Sequence, residues 1–212
     1  MSDVVTEVDY PRARRLLMSR DPVIGAIIKA HGPCGLAAVQ RDDPFHALVE
    51  AIVNQQLSSK AAATIFGRFV ALFPDRGFPA PDAIMGTSVE SLRRAGLSRQ
   101  KIGYIHDLCR RILDGSLRLD ALDWMEDEAV IEALTEVKGI GRWTAEMFLM
   151  FKLHRPDVLP VDDLGIVKAI QRAYRLRTLP RPDRILRIGE AWRPYRSIAS
   201  WYLWASLDAD SG

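Results

Sequence analysis

The chain has 212 residues, enough for one domain or two small domains with a substantial buried core. Its 48% hydrophobic and 26% charged residues are typical of a globular protein, and the formal net charge of +2 favours no class of partner. No apolar run approaches the ~20 residues that a membrane helix needs, and residues 1–17 lack the apolar core of a secretory signal. The two isolated cysteines suggest a reducing cytosol, so a cytoplasmic protein is expected.

The first half of the chain predicts a series of short helices. Apolar residues recur at helical spacing over residues 45–73, and a polar break at residues 54–59 divides this stretch into two helices. Residues 74–81 are rich in proline and glycine and predict a loop. Residues 87–98 carry the cap chemistry of one further short helix, and amphipathic spacing continues over residues 101–113.

The second half continues the pattern around a turn with two glycines, Gly139-Ile140-Gly141, which separates helical segments at residues 129–134 and 142–153. A proline-bearing connection follows, and the next amphipathic helix begins at Asp162 or Asp163. A last helical stretch covers residues 192–207. Because no alternating strand pattern and no internal repeat occur, the sequence predicts an all-α fold.

Basic residues are concentrated in two segments. Nine of them lie between Lys168 and Arg196, against only Asp183 and Glu190. A second run consists of Arg93, Arg94, Arg99 and Lys101. Such clusters can neutralise phosphates or can be solvated helix faces, and charge alone does not decide between the two.

The two-glycine turn has the properties of an anion site. Glycine permits backbone angles with positive φ and lets another backbone come close. The amides of Gly139 and Gly141 stand at the start of the next helix, where the helix dipole is positive, and the Thr144 hydroxyl can add a contact. Such contacts hold a phosphate without reading sequence. The alternative is a plain corner between packed helices.

The context of this turn resembles a known family. Residues 137–145 resemble the helix-hairpin-helix of the DNA glycosylase superfamily named for that hairpin and for a following Gly/Pro-rich loop that ends in aspartate, here residues 155–164. The closest likeness is the 3-methyladenine-DNA glycosylase II branch, which acts on alkylated purines. Further motifs of this branch lie at residues 45–62, 95–101 and 192–197. The extra N-terminal β-domain of some larger members is not expected here.

The resemblance implies two α-helical lobes with a DNA-binding cleft between them. Residues 43–155 would form the central lobe with the hairpin at about 134–152, and residues 1–42 with 156–212 the second lobe, which carries the catalytic aspartate. It also implies a monofunctional glycosylase that flips alkylated, cationic N3- or N7-methyl purines out of double-stranded DNA and hydrolyses the N-glycosidic bond. The product would be an abasic site for base-excision repair, and the protein a monomer, nucleoid-associated if bacterial.

Asp163 occupies the position of the family's catalytic aspartate. Release of a base passes through an oxocarbenium-like sugar, whose positive charge a fixed carboxylate can stabilise while it orients or deprotonates the attacking water. Its place at a helix start favours the ionised form. An aspartate there is also a common N-cap, and this role is assigned to Asp162.

Trp143 stands where members that also cut the DNA backbone carry a lysine that attacks the sugar as an amine. The resemblance therefore implies a water-using enzyme. Trp143 and Trp204 match aromatic base-pocket positions of the branch, and Met147 stands where some relatives have an aromatic. Electron-rich rings would favour a cationic base, whereas the alternative for each tryptophan is core packing.

A second DNA contact is expected at the break between the two helices of residues 45–73. Relatives insert a minor-groove wedge there to fill the gap left by the flipped nucleotide, and Gln56 or Leu57 would fit that role. The alternative is a helix–helix corner with caps.

No cofactor is expected to be required. The cysteines Cys34 and Cys109 are isolated, fit no zinc or iron–sulfur spacing, and are expected to be small buried hydrophobes. The family hairpin often holds a monovalent cation, Na⁺ or K⁺, through backbone carbonyls, which here would be those of Thr135, Val137 and Ile140.

Three rival readings remain open at the level of sequence. The chain could be a non-catalytic helix-hairpin-helix DNA-binding protein, in which Asp163 only caps a helix. It could be a bifunctional glycosylase/lyase, or a helical scaffold with no affinity for DNA. The lesion preferred among alkylated and deaminated bases is not encoded in any motif that the sequence shows.

Overall fold

The computed structural model describes residues 8–39, 43–74 and 77–208, and these residues form helices, turns and connecting segments without a β-strand. The all-α prediction is therefore confirmed. The α-helices of this part of the chain are α1 (Tyr10–Arg20), α2 (Pro22–His31), α3 (Pro44–Asn54), α4 (Ser59–Val70), α5 (Pro81–Met85), α6 (Val89–Arg94), α7 (Arg99–Leu113), α8 (Asp127–Thr135), α9 (Arg142–Phe151), α10 (Leu164–Ala173), α11 (Pro182–Gly189) and α12 (Arg196–Asp208). Short 3₁₀ turns lie at Gly35–Ala38, Leu119–Trp124 and Glu190–Trp192.

Local cap chemistry explains where many of the helices begin, including α1 and α2, whose bounds were not predicted from the sequence. Aspartates whose side chains accept a backbone amide begin three proline-containing helices, at Asp9, Asp21 and Asp43. Serines do the same for α4, α6 and α7. These short polar side chains satisfy amides that the first helical turn leaves without partners, and they explain why the break at residues 54–59 separates α3 from α4.

Helix α11 was not predicted from the sequence. Its residues were noted only as part of the basic segment, because the helix is short and only Ile185, Leu186 and Ile188 of its eight residues are large and apolar. Ile185 and Gly189 are nevertheless buried. The packing of this thin apolar face against the rest of its unit is a tertiary effect that a local pattern underestimates.

The described residues belong to two compact units. The first contains Met1–Arg41 and Leu149–Gly212, and the second Asp42–Phe148. Helix α9 begins in the second unit, and its last turn belongs to the first. The first unit is thus built from chain segments that are more than one hundred residues apart in sequence.

In the first unit, α12 packs against α2 and α10, and α1 packs against α2. Its core includes the fully buried side chains of Leu17, Ile28, Ile170, Trp192 and Tyr202. The buried carboxylate of Asp21 joins these elements: its Oδ1 accepts the amide of Val23 at 2.9 Å, and its Oδ2 accepts the Trp192 indole N–H at 2.8 Å.

In the second unit, α7 packs against α3, α5 and α6. Its buried apolar residues are Ile102, Ile105, Leu108 and Cys109. Of the apolar positions predicted from the spacing, Ile102, Ile105 and Leu108 are buried and Ile112 is half-buried. This apolar face holds α7 in the core. Lys101, Tyr104 and Asp107, which lie beside this face, contact the turns of the same unit.

Both cysteines are free and buried, as predicted. Burial raises the pKa of Cys34 to about 11 and that of Cys109 to about 12. A thiol with such a pKa is a poor nucleophile near neutral pH, so the two side chains act as core residues. None of the described helices is long and apolar enough to cross a membrane.

Candidate active site

Asp163 lies at the N-terminus of α10 and is half-buried. Its Oδ1 accepts the backbone amide of Ile166 at 2.8 Å, which makes Asp163 the N-cap of the helix. The assignment of the cap to Asp162 was therefore wrong. A capping side chain reaches the amide three residues ahead, and Asp162 stands one residue too early for Ile166 and is exposed.

A second donor reaches the same oxygen of Asp163. The indole N–H of Trp204 on α12 donates to Oδ1 at 2.8 Å. The ring of Trp204 is stacked on Phe151, with centroids 6.0 Å apart and an interplanar angle of 27°. Trp204 therefore orients the carboxylate of Asp163 and is itself oriented by a neighbouring ring.

Gly165 is required for this arrangement. A Cβ at Gly165 would lie 2.9 Å from Oδ1 of Asp163 and 2.9 Å from Cδ1 of Trp204. Such distances are too short for any side chain to be added without moving the carboxylate or the indole. Gly165 was not predicted, because nothing in the local sequence shows which side chains pack on it.

The start of α12 fixes the loop that leads to Asp163. The Ser197 hydroxyl donates to the carbonyl of Arg155 at 2.6 Å and accepts the amide of Val158 at 2.9 Å. Asp157 in the same loop accepts Arg193 Nη1 at 2.7 Å and Arg196 Nε at 2.9 Å. These contacts give the motif at residues 192–197 a structural role, and they show that the carboxylate of Asp157 is engaged by two arginines.

The hairpin turn, residues 136–141 between α8 and α9, carries Gly139 at φ = +84°. A Cβ at Gly139 would lie 2.1 Å from Cδ2 of Tyr104, because the Tyr104 ring of α7 packs directly on this glycine. Both the positive φ and the ring therefore require glycine at this position. Gly141, in contrast, is exposed, and a Cβ there would have nothing within 4 Å.

Helix α7 also holds the backbone of the hairpin turn. The nearly buried carboxylate of Asp107 accepts the Lys138 amide at 3.0 Å and Arg111 Nε at 3.2 Å, and it is also paired with Arg110. Burial by itself would raise the pKa of Asp107, but the Lys138 amide and the two guanidinium groups outweigh it and hold the pKa below its usual range. The carboxylate is thus ionised when it binds the turn.

Arg142, the first residue of α9, pairs with both helices of the hairpin. Its guanidinium contacts Glu128 on α8 at 2.5 and 2.9 Å and Glu146 on α9 at 3.1 Å. This fork-like pairing links the two helices of the hairpin. Arg142 is therefore a structural residue of the hairpin.

The predicted DNA-contacting residues of the hairpin face solvent to different degrees. Thr144 and Met147 are half-buried, and the side chain of Trp143 is 49% exposed. Trp143 and Met147 lie one turn apart on α9 in the second unit, whereas Trp204 belongs to the first. The exposure of Trp143 shows that this indole is not a core residue, and the grouping of the three as a base pocket stays a prediction.

The proposed cation donors lie in the same turn. The Val137 carbonyl accepts the Ile140 amide at 3.1 Å and keeps one lone pair for a second interaction. With the carbonyls of Thr135 and Ile140 it would present neutral oxygens, a donor set that suits Na⁺ or K⁺. The described residues contain no cluster of His, Cys, Asp and Glu that could hold a metal ion.

The predicted wedge lies in a tight turn between α3 and α4, here named the wedge turn, residues 54–57. The Leu57 amide donates to the carbonyl of Asn54 at 3.3 Å, and the angles of Gln55 (φ = −52°, ψ = 131°) and Gln56 (φ = +57°) match a type II turn. Gln56 and Leu57 are exposed at its tip. Both candidates for the wedge are therefore presented to solvent.

Lys101 contacts the backbone of this turn, although the sequence analysis counted it among residues that can neutralise phosphates. Its ammonium donates to the carbonyls of Val53 and Gln55, both at 2.7 Å. The amide of the Gln55 side chain donates to the carbonyl of Gly139 at 2.7 Å. Sequence reasoning missed Gln55, Tyr104 and Asp107, since each acts through a partner far away in the chain.

Comparison with known proteins places this geometry in a family. Residues 49–194 match the family model described as HhH-GPD superfamily base excision DNA repair protein. The chain is 33% identical to the alkylbase DNA glycosidase-like protein mag2 of Schizosaccharomyces pombe, over 92% of this chain and 93% of that protein. It is 37% identical to DNA-3-methyladenine glycosylase 1 of the same organism, over 79% and 74%.

A solved structure has the same fold. The S. pombe 3-methyladenine DNA glycosylase in complex with abasic DNA superposes with a TM-score of 0.80 at 32% identity, covering 95% of this chain and 98% of that one. The match of the family model to more than half of the chain agrees with the motifs at the hairpin and in the loop before α10. The chain therefore belongs to the HhH-GPD superfamily of base excision DNA repair proteins.

Proposed function

We propose that the chain is a monofunctional DNA glycosylase that releases cationic N3- and N7-alkylated purines from duplex DNA by hydrolysis. The relatives named above as 3-methyladenine glycosylases support this substrate class. The bound abasic DNA of the S. pombe structure is the kind of product that base release leaves. The protein would act on double-stranded DNA as a monomer.

The observation that carries the proposal is the restraint on Asp163. Two N–H donors, the Ile166 amide and the Trp204 indole, converge on one oxygen, Oδ1, both at 2.8 Å. A carboxylate held in this way has a fixed position and a fixed orientation. These are the properties that stabilisation of a developing positive charge requires.

In the reaction the bond between C1′ of the deoxyribose and the purine nitrogen breaks. An alkylated purine already carries a positive charge, so the bonding electrons leave with the base and make it neutral. The positive charge passes to the sugar, where the Asp163 carboxylate stabilises it. Water adds to C1′ and gives up its proton, for which Asp163 is the proposed acceptor.

The nucleophile is proposed to be water because Trp143 stands at the position of a lyase lysine. An indole has no basic nitrogen that could form a Schiff base with the sugar. The DNA backbone would therefore stay intact after base release. Lys138 and Lys152 are near in sequence and are not at the matching position.

Recognition of the base is assigned to Trp143, Met147 and Trp204. Indole rings attract a cation at their faces, worth about 0.5–2 kcal/mol per ring, and they would favour a charged purine over a neutral one. The side chain of Trp143 is 49% exposed, so a base that stacks on it need not displace core residues. Replacement of Trp143 by alanine should therefore reduce selectivity for charged over neutral lesions.

The contacts with the DNA backbone are assigned to the hairpin turn. The amides of Gly139 and Gly141 and the hydroxyl of Thr144 would bind a phosphate. A Na⁺ or K⁺ ion on the carbonyls of Thr135, Val137 and Ile140 would supply positive charge next to it and no redox chemistry. Duplex affinity should then be higher in KCl than in tetramethylammonium chloride at equal ionic strength, and equal affinity would contradict the cation site.

The proposed function is tested by release of bases from defined duplexes that each contain one lesion. We expect release of 3-methyladenine and 7-methylguanine, an intact backbone until alkali cleaves the abasic site, and no covalent adduct after treatment with borohydride. Binding of duplex DNA without release of any base would instead indicate a non-catalytic DNA-binding protein. A trapped adduct would indicate a glycosylase/lyase.

A further inference from the structure

The wedge turn and the hairpin turn are joined inside the second unit. The Gln55 side chain donates its Nε2–H to the carbonyl of Gly139 at 2.7 Å, across 84 positions of the sequence. Gln55 is one of the two central residues of the wedge turn, and Gly139 is the residue of the hairpin turn that has a positive φ. A single hydrogen bond thus connects the two turns proposed to contact DNA.

Lys101 fixes the wedge turn from the other side. Its ammonium donates to the carbonyl of Val53 in the last turn of α3 and to that of Gln55, the C-cap residue, and neither carbonyl has a later helical amide to accept from. Burial lowers the pKa of Lys101. With two of its three N–H groups on backbone carbonyls, Lys101 acts as a C-terminal cap of α3.

The same face of α7 reaches the hairpin turn. Residues 101, 104, 107 and 111 are spaced by three or four positions and therefore share one side of the helix. Tyr104 packs on Gly139, Asp107 accepts the Lys138 amide at 3.0 Å, and Arg111 contacts Glu136 at 3.4 Å. One helix face therefore holds both turns in register.

The wedge turn needs such support because its tip is strained. Gln56 has φ = +57°, a conformation that a residue other than glycine adopts at a cost of about 1–2 kcal/mol. Turns of this type usually have glycine or asparagine there. Without glycine or asparagine at this position, the turn needs contacts with other parts of the unit to hold its conformation. The described contacts of this kind are made by Gln55 and Lys101.

We propose that Gln55 and Lys101 are positioning residues that couple the phosphate grip of the hairpin turn to insertion of the wedge. The inference rests on the proposed function only in assigning DNA to the two turns. The two residues themselves touch neither the lesion nor the reacting atoms. Their effect is to place Gln56 and Leu57 at a fixed offset from the phosphate held by the hairpin turn.

Loss of this coupling should weaken binding to a duplex with an abasic gap more than binding to an intact duplex. Binding to undamaged duplex depends on the backbone contacts of the hairpin turn. Binding to a duplex with an abasic gap also gains from the inserted wedge. Gln55→Leu and Lys101→Met should therefore reduce the preference for the gapped duplex by about 10-fold, the equivalent of about 1.4 kcal/mol.

The experiment compares an undamaged duplex with a duplex of otherwise identical sequence that contains a tetrahydrofuran abasic analogue. In both duplexes 2-aminopurine stands in the opposite strand at that position. Dissociation constants and 2-aminopurine fluorescence are measured for the wild type and both variants, below their melting transitions. Arg99→Met is the matched control, because it removes one positive charge from the exposed side of the same helix. It should weaken binding to both duplexes by the same factor.

The double change Gln56→Ala/Leu57→Ala, which removes both wedge candidates, is combined with each variant to test the route of the effect. If Gln55 and Lys101 act through the wedge, their effects on gap preference and fluorescence should nearly vanish in this background. Full additivity would overturn the proposal. So would unchanged gap preference in the single variants, or equal weakening on both duplexes.

The readout is independent of base release. The tetrahydrofuran analogue has no base to remove, so a protein that lacked glycosylase activity would still give an interpretable result. Failure of the proposed function would be seen as absence of released purine from lesion duplexes, while failure of the coupling would be seen only in the gap preference.

Discussion

Asp163 combines two roles that the sequence analysis had divided between neighbours. One of its oxygens caps α10 and binds the Trp204 indole, and this structural use of Oδ1 is what restrains the carboxylate. A residue can thus be an N-cap and a candidate for catalysis at once. The local pattern could show that one of the two aspartates caps α10. It could not show which one, because this depends on the residue at which the helix begins, Leu164.

Replacement of Gly165 by alanine tests this restraint. The new methyl group would lie 2.9 Å from Oδ1 of Asp163 and from Cδ1 of Trp204, so one of them must move. Displacement of a reacting group by about 1 Å can reduce a rate about 100-fold, and we expect base release to fall about 10- to 100-fold. Duplex affinity should change little. Single-turnover release measures the effect.

Stability separates this effect from unfolding. Alanine favours a helix over glycine by about 0.8–1.0 kcal/mol, which offsets part of the clash in Gly165→Ala. Gly103→Ala on α7 is the control, since a Cβ there meets nothing within 4 Å. It should raise the free energy of unfolding and leave release unchanged. Equal release by Gly165→Ala and the wild type would contradict the proposed restraint.

At the scale of elements, α7 organises the second unit. Its apolar spacing was predicted and confirmed, because the burial of Ile102, Ile105 and Leu108 follows from the helical period alone. The contacts of Tyr104 and Asp107 with the hairpin turn could not be predicted in this way, since they join residues about thirty positions apart. The sequence therefore identified the hairpin turn and not what supports it.

The two glycines of the hairpin turn should respond differently to alanine. At Gly139 both the positive φ and the Tyr104 ring oppose a side chain, so we expect Gly139→Ala to lower the free energy of unfolding by about 2 kcal/mol or more. Gly141→Ala should fold normally and weaken duplex binding, because its methyl group would lie where a phosphate approaches the amide. Denaturant titration and DNA binding, measured on both variants, test the contrast. Equal losses in the free energy of unfolding for Gly139→Ala and Gly141→Ala would contradict the packing of Tyr104 on Gly139.

At the scale of the whole molecule, the first unit brings together residues from both ends of the chain. Asp21 and Trp192 are 171 positions apart, and the Tyr202 hydroxyl donates to the carbonyl of Gly32 at 2.7 Å across 170 positions. The sequence predicted the helical class, which the described residues confirm, and the family of the chain, which comparison with relatives confirms. The sequence could not predict that Asp21 joins distant elements of the first unit, because its partner Trp192 is 171 positions away.

Asp21→Asn should destabilise the first unit. The amide would place an NH₂ group or a weaker acceptor against the Trp192 indole and the Tyr174 hydroxyl, and it would leave buried polar groups poorly paired. We expect a loss of about 2–4 kcal/mol in the free energy of unfolding, measured by urea titration with tryptophan fluorescence. Asp9 is an exposed cap on α1, and Asp9→Asn should change the free energy of unfolding by less than about 0.5 kcal/mol. A small effect at Asp21 would show that this junction is dispensable.

The most direct test of the central claim compares Asp163→Asn with Asp162→Asn in single-turnover release of 3-methyladenine or 7-methylguanine from duplex DNA. Both changes remove one negative charge at adjacent positions, and asparagine remains a good N-cap, so folding and DNA affinity should be retained. We expect Asp163→Asn to reduce the release rate by about 10²- to 10³-fold or more and Asp162→Asn to change it less than about twofold. Equal release by Asp163→Asn and the wild type would contradict the assignment of Asp163 as the catalytic carboxylate.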